Sequence, residues 1–152
     1  MRGRLRYVLA PASVVAVVLI TVLATSGSAA VTRRLRVVDH AKTDTVVDIG
    51  SAGDSTGDVL TFHNKLYRRG DVVGRDQGTC IRIKVPKSWE CTWTNFLSNG
   101  HISVEGPFFD THDSNLAVIG GTGAYRNASG QMHLHALNGG KRYVFSFELT
   151  LG

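Results

Sequence analysis

The stretch RYVFSFELTL, residues 142–151, sets Tyr143, Phe145, Phe147 and Leu149 at alternate positions. Successive side chains of an extended chain point to opposite faces, so a period of two collects these four on one face and predicts a strand. Just upstream, Gln131–Leu137 groups Met132, Leu134 and Ala136 on one face, and Asn138-Gly139-Gly140 turns the chain between the two segments. The pattern recurs towards the N-terminus. Strands are expected over Asp44–Ile49, Asp58–Tyr67, Thr79–Val85, Trp89–Leu97, His101–Phe108 and Asn115–Ile119, with Gly, Ser, Asn or Pro at most of the breaks. Short connections favour antiparallel neighbours, because parallel pairs need long crossovers. Eight such strands without helices remove their exposed edges most simply by closing. The fold class expected is therefore all-β, an eight-stranded antiparallel β-barrel with a central apolar cavity. A two-sheet sandwich is the competing arrangement.

The chain has 152 residues, 43% of them hydrophobic and 19% charged, a composition of folded domains rather than disordered tails. Its formal net charge of +5 is unevenly placed. Arg2, Arg4 and Arg6 precede an apolar run from Tyr7 to Ala24, and Ser28-Ala29-Ala30 supplies small residues for cleavage. That order reads as a secretory signal over residues 1–30, and an uncleaved membrane anchor is the alternative. Arg33, Arg34 and Arg36 place a basic N-terminal arm at 31–43, ahead of a barrel domain at 44–152. With those six arginines set aside, 11 basic residues stand against 12 acidic ones, and no nucleic-acid partner is expected. A membrane partner is expected only if the signal stays uncleaved. The localisation expected is secreted or extracytoplasmic, an oxidising space in which cysteines can pair.

Cys80 and Cys91 flank a hairpin around Pro86. If its centre lies between Val85 and Pro86, the two cysteines fall opposite one another, and a disulfide is geometrically allowed. A free thiol lining the pocket is the other reading. On the same strand Ile81, Ile83 and Val85 alternate with Cys80, Arg82 and Lys84. Gly121-Thr122-Gly123 is followed by another strand and not by a helix, so it reads as a turn and not a phosphate loop. His133 and His135 share a strand face, but their alternation with Met132 and Leu134 points them outward. No metal site or cofactor is expected. Asn64 lies on the face of Leu60, Phe62 and Leu66, where an apolar side chain is expected. A buried amide is costly unless hydrogen-bonded. It is either satisfied by its surroundings or a polar handle for a ligand. Asp39 reads as an exposed acid or a second polar site group.

From Gly57 to Leu149 the chain resembles the allene oxide cyclase family. The stretches that carry the resemblance are GDVLTFHNKLY at 57–67, GHISVEGPFF at 100–109, LAVIGGTGAYRNASGQMHL at 116–134 and YVFSFEL at 143–149. The third is shared more loosely with dirigent proteins. The resemblance implies an eight-stranded barrel, commonly trimeric, that coils an unstable fatty-acid epoxide for ring formation. A pocket glutamate, an asparagine and a cysteine are the family's polar groups. Asn64 and Cys80 match two of them, and Asp39 falls near the glutamate. Ala41 replaces a second asparagine, Phe108 stands where the plant enzymes have tyrosine, and Cys91 is an addition.

Asp39 and Asn64 are accordingly the expected catalytic pair. Leu60, Phe62, Leu66, Cys80, Trp89, Phe108 and Phe145 are the expected substrate contacts. The function expected is an isomerase: an exported cyclase that folds a flexible apolar small molecule, oxylipin- or polyketide-like, inside the barrel. The alternative is a non-catalytic barrel that binds a lipid-like ligand or guides coupling as dirigent proteins do. If Cys80 faces inward, the row Ile81, Ile83, Val85 faces outward and needs a cover, which a homo-oligomer, a trimer by resemblance, would provide.

Overall fold

The computed structural model describes residues 30–152. The signal expected over 1–30 thus lies outside the described residues, apart from Ala30. The chain forms β1 (Val31–His40), β2 (Thr45–Val47), β3 (Val59–Phe62), β4 (Lys65–Arg68), β5 (Asp71–Lys84), β6 (Ser88–Leu97), β7 (Gly100–Phe109), β8 (Ser114–Gly121), β9 (Ser129–Leu137) and β10 (Arg142–Leu151). One 3-10 turn, Gly123–Tyr125, follows the glycine pair that ends β8. The strand order is β2-β3-β5-β4-β1-β10-β9-β8-β7-β6, and a further pairing of β5 with β6 closes the ring. The result is a closed eight-stranded antiparallel barrel with two extra strands.

The extra strands arise because two barrel staves are broken. β3 and the start of β4 keep one register against β5, with Phe62 opposite Gly78 and Lys65 opposite Arg75, before a bulge at Leu66–Tyr67. Against them lie β2, with Thr45 opposite Thr61, and β1, with His40 opposite Lys65. The segment between β1 and β2 leaves the ladder where the chain passes His63 and Asn64. The stretch 31–43, read as a basic arm, thus supplies a full strand of the wall. β1 pairs along its whole length with β10, from Val31 opposite Leu151 to His40 opposite Arg142. The strand expected over Asp58–Tyr67 is split in two.

The inward faces make one core. Val37, Leu66, Ile102, Val104, Leu116, Met132, Phe147 and Leu149 are at most 1% exposed. Gly78 lies opposite Trp93, and a Cβ on it would come within 2.2 Å of the Trp93 Cβ. The missing side chain is what lets the indole lie against the wall. Cys80 is the register partner of Cys91, and the two are joined as a disulfide. Both sulfurs face inward, so Ile81 and Ile83 face out and are 50% and 54% exposed.

Candidate functional site

The break between β1 and β2 leaves an opening into one end of the barrel. Behind it lies a cavity walled by Leu60, Phe62, Trp93, Phe108, Leu134 and Phe145. About 50 Å³ of it admits the centre of a water-sized sphere, room for a few water molecules. The polar groups on it are Asp39, Asp44, Asn64 and Tyr143, with the Cys80–Cys91 bridge as part of the wall. Trp93 packs edge-on to Phe62 and tilted against Phe145, and Phe108 meets Tyr143 edge-on.

Asn64 joins the broken staves. Its Oδ1 accepts from the Lys42 amide at 3.0 Å, the Thr43 amide at 3.1 Å and the Thr43 hydroxyl at 3.1 Å. Its Nδ2 donates to Asp44 Oδ1 at 2.8 Å. Those are ladder bonds that the backbone cannot make where the chain bulges outward. Asn64 is therefore both a structural clasp and a cavity residue, and it fixes Asp44 beside the opening.

Asp39 is 3% exposed, and its Oδ1 is buried without a hydrogen-bond partner. Burial, then the nearby Asp76 and Asp44 carboxylates, push its pKa up to about 8. Asp76, on β5, is fully buried; burial and Asp44 raise it to about 7 despite the hydrogen bond from the Asn64 amide. Burial, with Asp44, Asp39 and Asp110, pushes Tyr143 up to about 12. At neutral pH the cavity thus offers a carboxylic acid and a phenol, both protonated, among aromatic rings. Such groups donate hydrogen bonds to an oxygen that gains negative charge.

Most of the expected contacts meet here: Asp39, Leu60, Phe62, Asn64, Cys80, Phe108 and Phe145. Leu66 is fully buried in the packed core rather than on the cavity wall. Trp89 borders a separate space, where the Arg82 guanidinium lies 3.9 Å from its ring centre and pairs with Asp54 and Asp110. That clamp gives Trp89 a structural place. His133 and His135 point outward and bracket Asp113, at 3.1 Å and 2.7 Å. Asp44, Asp76 and Tyr143 were not among the expected site residues. Tyr143 is legible in the alternation of its strand, whereas Asp44 and Asp76 depend on the bulge and the neighbouring staves.

A family model described as Allene oxide cyclase matches residues 37–150. Among solved structures, the chain is similar to a pyocyanin demethylase at 24% identity and TM-score 0.70, covering 78% of this chain and 100% of that one. It is similar to a pterocarpan synthase dirigent protein at 15% identity and TM-score 0.65, covering 83% of this chain and 87% of that one. A Diels-Alderase from Streptomyces koyangensis matches at 13% identity and TM-score 0.64, covering 85% of this chain and 72% of that one. At these identities the structural likeness speaks for the barrel alone.

Proposed function

The chain belongs to the allene oxide cyclase family, and on that premise we propose that it is an isomerase that directs ring formation in a flexible, largely apolar small molecule. The observation that carries this reading is Asp39: a buried carboxyl with an unpartnered oxygen, set among aromatic rings, where burial favours its protonated form. Atoms are conserved in such a reaction, so the site has only to fold the chain of the substrate, exclude water and stabilise charge. Asp39 would hydrogen-bond an epoxide or carbonyl oxygen as negative charge grows on it, with Tyr143 as a second donor. Leu60, Phe62, Phe108, Leu134 and Phe145 would hold the coiled conformer. Asn64 is a positioning residue that keeps the β1–β2 bulge, and with it Asp44, in place. Cyclisation is also what the names of a Diels-Alderase and a pterocarpan synthase dirigent protein describe for barrels of this shape.

The substrate class fitting these walls is oxylipin- or polyketide-like, met outside the cytoplasm if the basic and apolar start of the chain is an export signal. The tight cavity, about 50 Å³, favours a second reading, in which the barrel mouth binds and orients a ligand without reacting with it. One experiment separates the two. Wild type and Asp39→Asn are incubated with a polyunsaturated fatty-acid epoxide and with a linear polyene ketone, and ring products are resolved by chiral chromatography. The isomerase reading predicts one enantiomer in excess, with the rate falling by about 10²-fold in the variant. Racemic product at the uncatalysed rate in both proteins refutes it.

A further inference from the structure

A rung of inward-facing residues crosses four staves: Asn64, Asp76, Asn95 and Ile102. The Asp76 amide donates to the Asn64 carbonyl at 3.0 Å, Asp76 is the register partner of Asn95, and Asn95 is that of Ile102. All four are at most 3% exposed. Asp76 Oδ1 accepts from the Asn64 amide at 3.0 Å, and Asn95 Nδ2 donates to the Ile102 carbonyl at 3.2 Å. Asp76 Oδ2 and Asn95 Oδ1 remain, both buried acceptors on adjacent staves and both without a donor. Turning the Asn95 amide over sets its oxygen against the Ile102 carbonyl, which moves the conflict without removing it. Because Asp76 and Asn95 are register partners, a single proton on Asp76 Oδ2 shared with Asn95 Oδ1 would satisfy both atoms.

We propose that Asp76 is a neutral carboxyl bonded to Asn95 in the folded protein, and that it is a positioning residue governing the proton on Asp39. Asp39 and Asp76 are buried on the two strands that flank β4, Asp39 opposite Leu66 and Asp76 bonded to Asn64 just before it; Asp44 from the β1–β2 bulge acts on both carboxyls, and Tyr143 on β10 is the register partner of Asp39. Among the described residues no ion pair joins Asp39, Asp44 or Asp76 to a lysine, arginine or histidine. With no cation to offset them, Asp76 and Asp39 release their protons in sequence. Once Asp76 ionises, its charge tightens the hold of Asp39 on its own proton. Asp39 then remains an acid to higher pH than it would alone.

The inference rests on Asp39 as the cavity acid, but its test needs no substrate. Carboxyl carbons of aspartate-labelled protein are titrated by NMR in wild type, Asp76→Asn and Asp76→Leu. Asp76 should titrate near neutrality instead of at about 4. Asp76→Asn should fold normally, because its amide donates to Asn95 Oδ1 while its oxygen still accepts from Asn64. In that variant the Asp39 midpoint should move towards acid by about one pH unit. Asp76→Leu, which keeps neither bond, should unfold at lower urea. An ordinary Asp76 midpoint, an unmoved Asp39 in Asp76→Asn, or failure of that variant to fold each overturns the proposal. Loss of turnover in Asp39→Asn bears on the cavity acid alone, so the two failures are distinguishable.

Discussion

Replacing Asn64 with Leu removes the clasp between the broken staves at similar side-chain volume. Three donors lose their acceptor: the Lys42 and Thr43 amides and the Thr43 hydroxyl. Asp44 loses the amide that holds it. These partners are part-buried, so water replaces some of the bonds, and each loss costs about 1 kcal/mol rather than the full penalty of burial. The Asn64 backbone amide still reaches Asp76, so that bond is not counted. The added apolar contact of Leu offsets about 1 kcal/mol. The net expectation is a loss of about 3 kcal/mol. With a urea m-value of about 1.5 kcal/mol/M for a domain of this size, the unfolding midpoint falls by about 2 M at unchanged slope. Thr43→Ala removes one of the same bonds, and also the acceptor of the His63 amide at 2.8 Å, so it should fall by a smaller amount. A midpoint for Asn64→Leu within experimental scatter of wild type would refute the clasp.

Asp39 and Asp76 both titrate above the unfolded value of 3.8, so the folded state binds protons that the unfolded chain has released. Their contribution is full below about pH 4 and is lost as pH rises through about 7 to 8. The unfolding free energy from urea melts should therefore decline between pH 5 and pH 8.5, by at least about 2 kcal/mol, and a flat or rising curve would contradict these shifts. Reducing the Cys80–Cys91 bridge, whose partners are 11 residues apart, should cost about 2–3 kcal/mol; equal midpoints with and without dithiothreitol would show that the bridge adds nothing. The outward row of Ile81, Ile83 and Val85, with Ile83 54% exposed, is expected to be covered in a homo-oligomer. Light scattering at micromolar concentration should give a trimer for wild type and a monomer for Ile83→Glu, and a monomeric wild type would remove the case for the interface.

Much of the barrel was legible because its strands obey a strict period of two. β10 declares itself through Tyr143, Phe145, Phe147 and Leu149, and centring the hairpin near Pro86 places Cys80 opposite Cys91, as observed. β1 was hidden by its arginines. Its apolar inward positions are only Leu35 and Val37, followed by Asp39, while Arg34 lies exposed before Leu35 and Arg36 exposed after it. A stave with solvent on its outer face carries arginines without penalty, so the segment reads as a basic arm. The break at His63–Asn64 is invisible because Asn64 falls in phase with Leu60, Phe62 and Leu66. Asp76 was missed for a different reason. Its burial depends on Asn64 and Asn95, which come from other staves, and no local period records that meeting.

The central claim, that the cavity beside Asp39 receives an apolar small molecule, is tested most directly by native mass spectrometry of the protein after exposure to a lipid extract. Wild type is compared with Leu134→Trp, in which an added ring fills the cavity from β9, and folding of the variant is checked by its urea midpoint. The account predicts an oxygen-bearing apolar ligand retained by wild type and lost from the folded variant. A wild type that retains nothing, or equal retention by both proteins, would contradict it.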